Sequence, residues 1–219
     1  MPTRRILVIN PNSSTAVTAA VDAAVARLRM PGGPAITVAG LDEGPPGIAT
    51  QRDADSVVMP LVRWVERDDA DAFVLACFSD PGLHAVREAA GGRPVMGIAE
   101  WGILRAITLG ERFGIIALSP ASVRRQRRTV RQMGVEARYA DSWPVDLSAA
   151  DTAGEGVRER LFEAGRSLVR QRGADVLILG CAGMASHRKP MEDALGCPVV
   201  EPSQQATAAA VAALWLADA

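Results

Sequence analysis

Two segments of the chain, ADAFVLAC ending at Cys77 and ADVLILGC ending at Cys181, are variants of one another set 104 positions apart. Four of the eight residues coincide, and the same shift superposes Gly92, Pro94 and Val95 on Gly196, Pro198 and Val199. Each segment is an apolar run closed by a thiol and followed by small turn residues. Upstream of each lies a further apolar run, ILVIN or FGIIAL, that leads into a helical pattern. An internal duplication of roughly 100 residues confines the fold to two similar half-domains. Their expected bounds are 1–98 and 99–204, with a tail of about 205–219 left over.

Within each half the periodicity alternates. Ile6–Ile9 reads as a buried strand, Asn12–Ser14 as cap candidates, and Val17, Val21, Val25 and Leu28 follow helical spacing. AITVAG is predicted as a strand and DEGPPGIATQ as a long loop. Asp53–Glu66 reads as one helix with Pro60 near its first turn, then come the strand Phe73–Cys77, the helix DPGLHAVREAA and the strand PVMGI. The second half offers FGIIAL, a helix from Ser119-Pro120 to Gly134, the strand VEARYA, a helix around Val157, Leu161, Phe162 and Leu168, then VLILGC and PVVEP. Alternation of this kind predicts an α/β fold of mostly parallel sheets flanked by helices, the two halves related by a pseudo-twofold axis. Ligands of such sheets bind beyond the carboxyl ends of the strands, which brings Asn10, Cys77, Ala117 and Cys181 to one cleft between the halves.

Composition removes several kinds of chemistry. The chain has 219 residues, 48% of them apolar, and a net charge of -1, enough for a full core and no general pull toward nucleic acid. It lacks an apolar run long enough for a membrane span and an N-terminal stretch resembling a signal peptide, so a cytoplasmic protein is expected. Three cysteines without CxxC spacing suggest free thiols. Only one of the 24 basic residues is lysine, Lys189, which argues against a pyridoxal-phosphate enzyme. With two histidines and no clustered carboxylates, neither a metal nor a cofactor is expected. The basic cluster Arg124, Arg125, Arg127, Arg128 and Arg131 reads as the solvated face of an amphipathic helix, with phosphate binding the alternative.

Cys77 and Cys181 are thereby left as the main chemical resource. For either thiol alone, burial at a strand end is the ordinary explanation; the duplicated placement favours catalysis for the pair. Inverting a carbon next to a carbonyl requires a base on one face and an acid on the other, of similar acidity. A thiolate and a thiol satisfy this, and helix N-termini following the two cysteines are expected to supply most of the activation. The developing negative charge needs donors, for which the side chains of Asn10 and Ser79 and the backbone N–H groups of Ser79, Gly183 and Met184 are candidates. Asn10 and Asn12 read equally as caps of the first helix, and Asp80 as the cap of the helix after Cys77. Cys197, opposite Arg93 in the repeat, reads as structural.

The opening VINPNSS, the segments ACFSDPGL, PVMGIAE and ERFGII, and above all LGCAGM around Cys181 resemble the aspartate/glutamate/hydantoin racemase superfamily over essentially the whole chain. Where glutamate racemases look like Asp-Ser-Gly, Cys-Asn-Thr-Ala and Cys-Thr-His, this chain has Asn10-Pro11-Asn12, Cys77-Phe78-Ser79-Asp80 and Cys181-Ala182-Gly183, which favours the hydantoin and allantoin branch. Arylmalonate decarboxylases keep one of the two cysteines. The resemblance implies a cofactor-independent racemase or epimerase acting on a 5-substituted hydantoin or allantoin, with Cys77 and Cys181 catalytic. Asn10, Ser79, Asp80, Ala117, Ser119, Gly183 and Met184 would contact the substrate. Ser79, Ala117-Leu118 and the Glu201–Gln205 segment depart from the branch pattern. Racemisation of an amino acid or related small acid, a decarboxylase or maleate-type isomerase, and a non-enzymatic ligand-binding protein are the alternatives. The expected partner is a small molecule, with no nucleic acid and no membrane. The C-terminal helix would pack on the first half-domain or join subunits of a homo-oligomer.

Overall fold

The computed structural model describes residues 4–153 and 156–217. Two four-stranded, all-parallel sheets form its frame. The first contains β1 (Arg5–Asn10), β2 (Ala35–Gly40), β3 (Ala72–Leu75) and β4 (Val95–Gly97) in the order β2-β1-β3-β4. The second contains β5 (Phe113–Ala117), β6 (Tyr139–Pro144), β7 (Val176–Leu179) and β8 (Val199–Val200) in the order β6-β5-β7-β8, which is the same topology. The helices are α1 (Thr15–Val25), α2 (Gln51–Ser56), α3 (Val58–Arg67), α4 (Leu83–Ala89), α5 (Ile98–Ile107), α6 (Pro120–Gln132), α7 (Val157–Arg172), α8 (Arg188–Leu195) and α9 (Pro202–Leu216).

The residues shared by the repeat are those that tie strand ends together. The Asp71 carboxylate accepts from Arg5 N at the start of β1, and its counterpart Asp175 accepts from Glu111 N and Arg112 N just before β5. Pro94 and Pro198 cannot donate, but their carbonyls accept from Phe73 N and Leu177 N at 2.9 Å each. Gly92 and Gly196 stand at φ +89° and +67°, the left-handed region that favours glycine where a helix ends and the chain turns into a strand.

Strand side chains alternate between two cores, as the two-residue period requires. Ile6, Val8, Val74, Ile115, Val176 and Ile178 point to a common core that joins both sheets with α1, α5 and α9. Leu7, Ile9, Phe73 and Leu75 face an outer core with α2, α3 and α4, while Ile116, Leu177 and Leu179 face another with α7 and α8. Burial on both faces explains why these strands read as unbroken apolar runs. Helix α9 contributes Ala206, Ala210, Val211 and Leu214 to the common core, and its Leu214 carbonyl accepts from Arg4 Nη1.

Three local features differ from the sequence reading. The span 53–66 is two helices, α2 and α3, divided at Val57, which places Pro60 in the first turn of α3, where its missing N–H costs nothing. VEARYA is a strand only from Tyr139; Glu136–Arg138 is a turn of 3-10 helix whose Arg138 side chain donates to the carbonyls of Ile107, Gly110 and Glu111. Helix α5 is absent from the sequence reading. Its β-branched, aromatic and glycine content is poor for helix, and the helix is held by packing. Gly102 allows the approach, since a Cβ there would lie 2.9 Å from the Pro202 side chain.

Candidate active site

The two thiols leave their sheets in the same way. Ile9 pairs with Leu75 and Ile116 with Leu179. One residue further, Ala76 N donates to Ile9 O at 2.8 Å and Gly180 N to Ile116 O at 2.9 Å, and the next residues are Cys77 and Cys181. Both cysteines are free and line one small cavity of about 40 Å³ between the halves, at the switch point of each sheet. Asn12, Ser79, Leu118, Arg125 and Gln126 complete its functional wall.

Electrostatically the cavity holds both sulfurs as thiols. Burial pushes Cys77 up to about 11; the Ser79 N–H and hydroxyl and the Arg125 charge work against this, and the Asp80 charge works with it. Burial pushes Cys181 up to about 12, opposed by the Gly183 N–H and reinforced by Cys77 and Glu201. Cys77 is the more acidic of the two because it has two polar contacts from Ser79 and a cation nearby. The expected activation by helix N-termini is not built here: α4 begins only at Leu83, and Cys181 precedes a six-residue 3-10 stretch, Ala182–His187. A terminus contributes about 0.3–2 kcal/mol, whereas ionising a thiol of pKa about 11 at pH 7 costs on the order of 5 kcal/mol.

Of the residues expected to contact substrate, Ser79 lines the cavity. Asn10 does not. It is fully buried at the end of β1, where its Nδ2 donates to Asn12 Oδ1, Thr18 Oγ1 and the Ser14 carbonyl. Asn12 takes the place at the cavity: its Oδ1 is occupied by Asn10 Nδ2 and Ser14 N, which orients the amide with Nδ2 left to donate. Neither asparagine caps α1; Ser14 does, accepting from Val17 N.

Asp80 caps α5 and not α4. With φ at +40° it turns its carboxylate onto Ala99 N and Glu100 N, at 3.0 and 2.8 Å, and burial raises its pKa to about 7 against those two donors. Ala117 is completely buried, and its neighbour Leu118 reaches the cavity. Ser119 caps α6 and lines an adjoining apolar hollow of about 460 Å³ with Pro46, Ile48, Ala49, Leu118 and Leu147. Gly183 donates its N–H toward the Cys181 sulfur, and a Cβ there would meet Thr152 Oγ1 at 2.4 Å. Met184 is buried in the outer core and its N–H is bound to Cys181 O at 3.1 Å, so it cannot serve as an oxyanion donor. Cys197 lies away from the cavity, in a groove beside α8.

Arg125 and Gln126 were not singled out by sequence. Arg125 is 8% exposed while its neighbours Arg124, Arg127, Arg128 and Arg131 are exposed. Its guanidinium donates to Ser79 Oγ at 3.2 Å, Ala49 O at 2.9 Å, Ile48 O and Ser122 Oγ, which fastens the loop before α2 over the cavity. The signal was the stripe Ser122, Arg125, Gln126 and Val130, all on the buried face of α6; the density of arginines around it masked the one that turns inward. Among the described residues no cluster of three His, Cys, Asp or Glu could hold a metal, and no helix is long and apolar enough to cross a membrane.

The profile of the Asp/Glu/Hydantoin racemase family matches residues 6–211. A hydantoin racemase of Paenarthrobacter aurescens is 36% identical over 92% of this chain and 87% of its own. A hydantoin racemase of Rhizobium meliloti is 33% identical over 90% and 83%. Among solved structures, an allantoin racemase from Klebsiella pneumoniae superposes with a TM-score of 0.91 at 30% identity, over 98% of this chain and 89% of that one. A glutamate racemase from Francisella tularensis shares the fold, with a TM-score of 0.74 at 18% identity. Two equivalent thiols at the switch points of two duplicated sheets, together with these relatives, make the chain a racemase that belongs to the Asp/Glu/hydantoin racemase family.

Proposed function

We propose that the protein racemises a 5-substituted hydantoin without a cofactor, passing protons between the substrate and Cys77 on one face and Cys181 on the other. The observation that carries this is the presence of both free thiols in one cavity, each one residue beyond an equivalent strand ladder. One cysteine, as thiolate, takes the proton from C5, and the electron pair moves into the adjacent carbonyl as an enolate. The opposite thiol then delivers its proton to the other face of C5 and is left as the thiolate, so the two roles exchange. Asn12 Nδ2 is the donor available to the enolate oxygen, and the Arg125 charge in the cavity wall favours the developing negative charge.

A cavity of about 40 Å³ has room for roughly two or three waters, so binding requires the Ile48–Ala49 loop and Leu118 to move. Burial is the leading cause of both raised thiol pKa values. Admitting water on opening lowers them, and closure around the substrate returns the thiolate to a dry, reactive setting. The adjoining hollow shares Ile48, Leu118, Ser122 and Ala149 with the cavity and is mostly apolar. It suits an alkyl or aryl 5-substituent. A second reading, allantoin, is supported by the likeness to the Klebsiella allantoin racemase and by Ser119, Ser122 and Ser148 in the same hollow, which could bond its ureido group.

The test is incubation of single enantiomers of 5-benzylhydantoin, allantoin and free amino acids in D₂O, following optical rotation and exchange of the α-proton. Wild type is expected to racemise the benzyl compound fastest, and Cys77→Ser and Cys181→Ser to lose racemisation. Full racemisation by either variant would sink the two-thiol mechanism.

A further inference from the structure

Gln126 lies on the buried face of α6, is 3% exposed and lines the cavity, yet its Oε1 has no hydrogen-bond partner. Buried acceptors are almost always satisfied, and an exception in a native site calls for an explanation. Its two polar neighbours on the helix are already engaged. Ser122 Oγ is bonded to Ser119 and Arg125, and the Arg125 guanidinium has four acceptors. The other buried orphans among the described residues, Ser203 Oγ and Thr207 Oγ1, are on α9 and do not line the cavity. In the resting cavity a water serves this acceptor, and a ligand that displaces the water must bring a donor of its own.

Its place determines which donor. Gln126, Gly180 and Cys181 line the same small cavity, and the Gln126 side chain packs closely enough on Gly180 that a Cβ there would lie 2.8 Å from its Nε2. Because the cavity is so small, a ligand seated against the Cys181 sulfur also lies beside this amide. We infer that Gln126 Oε1 accepts a hydrogen bond from the substrate N–H attached to the carbon that inverts. This makes Gln126 the residue that selects substrates with a nitrogen on that carbon over acids that lack one. The inference rests on the proposed hydantoin reaction and adds to it a discriminating acceptor, set apart from the donor Asn12 that serves the carbonyl.

The experiment compares 5-benzylhydantoin with its N1-methyl derivative, which keeps the α-proton and loses the donor, in wild type and Gln126→Leu. Wild type is expected to lose about 10- to 100-fold in kcat/KM on N1-methylation, the factor expected when one buried partner goes unsatisfied. Gln126→Leu should lose a similar factor on the parent and change little, within about 2-fold, on the methylated compound. Equal losses on both substrates, or none on either, would overturn the assignment. Calorimetric binding of the two compounds to the Cys77→Ser/Cys181→Ser double variant makes the same comparison without turnover, so failure of the thiol chemistry and failure of the Gln126 contact are read separately. Should Gln126→Leu not fold, equal affinity of that double variant for the two compounds would still refute the contact.

Discussion

Replacing Arg125 by methionine removes the one buried cation that lines the cavity among the described residues, while keeping a side chain of comparable length. Arg125 Nε is 3.2 Å from Ser79 Oγ, and Ser79 in turn bonds the Cys77 sulfur. The charge thus acts on the thiol across two hydrogen-bond lengths, roughly 6 Å. At an effective dielectric of about 20 this is at most about 2–3 kcal/mol, and since burial, Ser79 and Asp80 all outweigh the Arg125 charge, its effect on the thiol's ionisation is up to about 1 pH unit. The sign follows from the form that reacts. The thiolate is the base, Arg125 stabilises it, and removing Arg125 raises the pKa of Cys77 further. The ascending limb of kcat/KM against pH should move up by up to about 1 unit, and kcat/KM at pH 7 should fall up to about 10-fold. Arg125→Lys keeps the charge and loses the planar fork that holds Ser79, Ile48 and Ala49, so it should retain most of the limb position while raising KM. The assay is a pH profile of racemisation between pH 6 and 10, with thermal unfolding to confirm that both variants fold. If Arg125→Met leaves kcat/KM at pH 7 unchanged, or behaves like Arg125→Lys, the electrostatic reasoning is wrong.

Two further outcomes concern the junction between Asp80 and α5. A Cβ at Gly97 would lie 2.3 Å from Asp80 Oδ2, so Gly97→Ala should displace the carboxylate from Ala99 N and Glu100 N and lower stability by about 1–3 kcal/mol in urea unfolding; an unchanged midpoint would show that the cap is not held as described. Burial raises the folded-state pKa of Asp80 to about 7, so the stability associated with its neutral form is present below the unfolded value near 4 and is lost as pH rises to about 7. Relative to wild type, Asp80→Asn should gain about 1–3 kcal/mol between pH 4 and 7, and parallel stability curves over that range would refute this.

The apolar runs closing at Cys77 and Cys181, the Asp, Gly and Pro residues common to the repeat and the spacing between them were enough to establish two parallel half-sheets and an equivalent place for each thiol. That information is legible because it is local and periodic: strands buried on both faces need continuous apolar side chains, and a duplicated topology needs the same ties at the same strand ends. The helix α5 was not legible, because its residues are weak helix formers and Gly102 matters only through its contact with Pro202 on another helix. Nor was the division of labour between Asn10 and Asn12, which depends on a hydrogen-bond network with Ser14 and Thr18. The tertiary structure alone decided which arginine of a basic cluster turns inward, that Asp80 crosses to a helix 18 residues downstream, and that burial rather than a helix terminus governs the acidity of the thiols. Sequence pattern specifies which residues end a strand; charge, desolvation and the pairing of buried polar atoms depend on what the other half of the molecule places beside them.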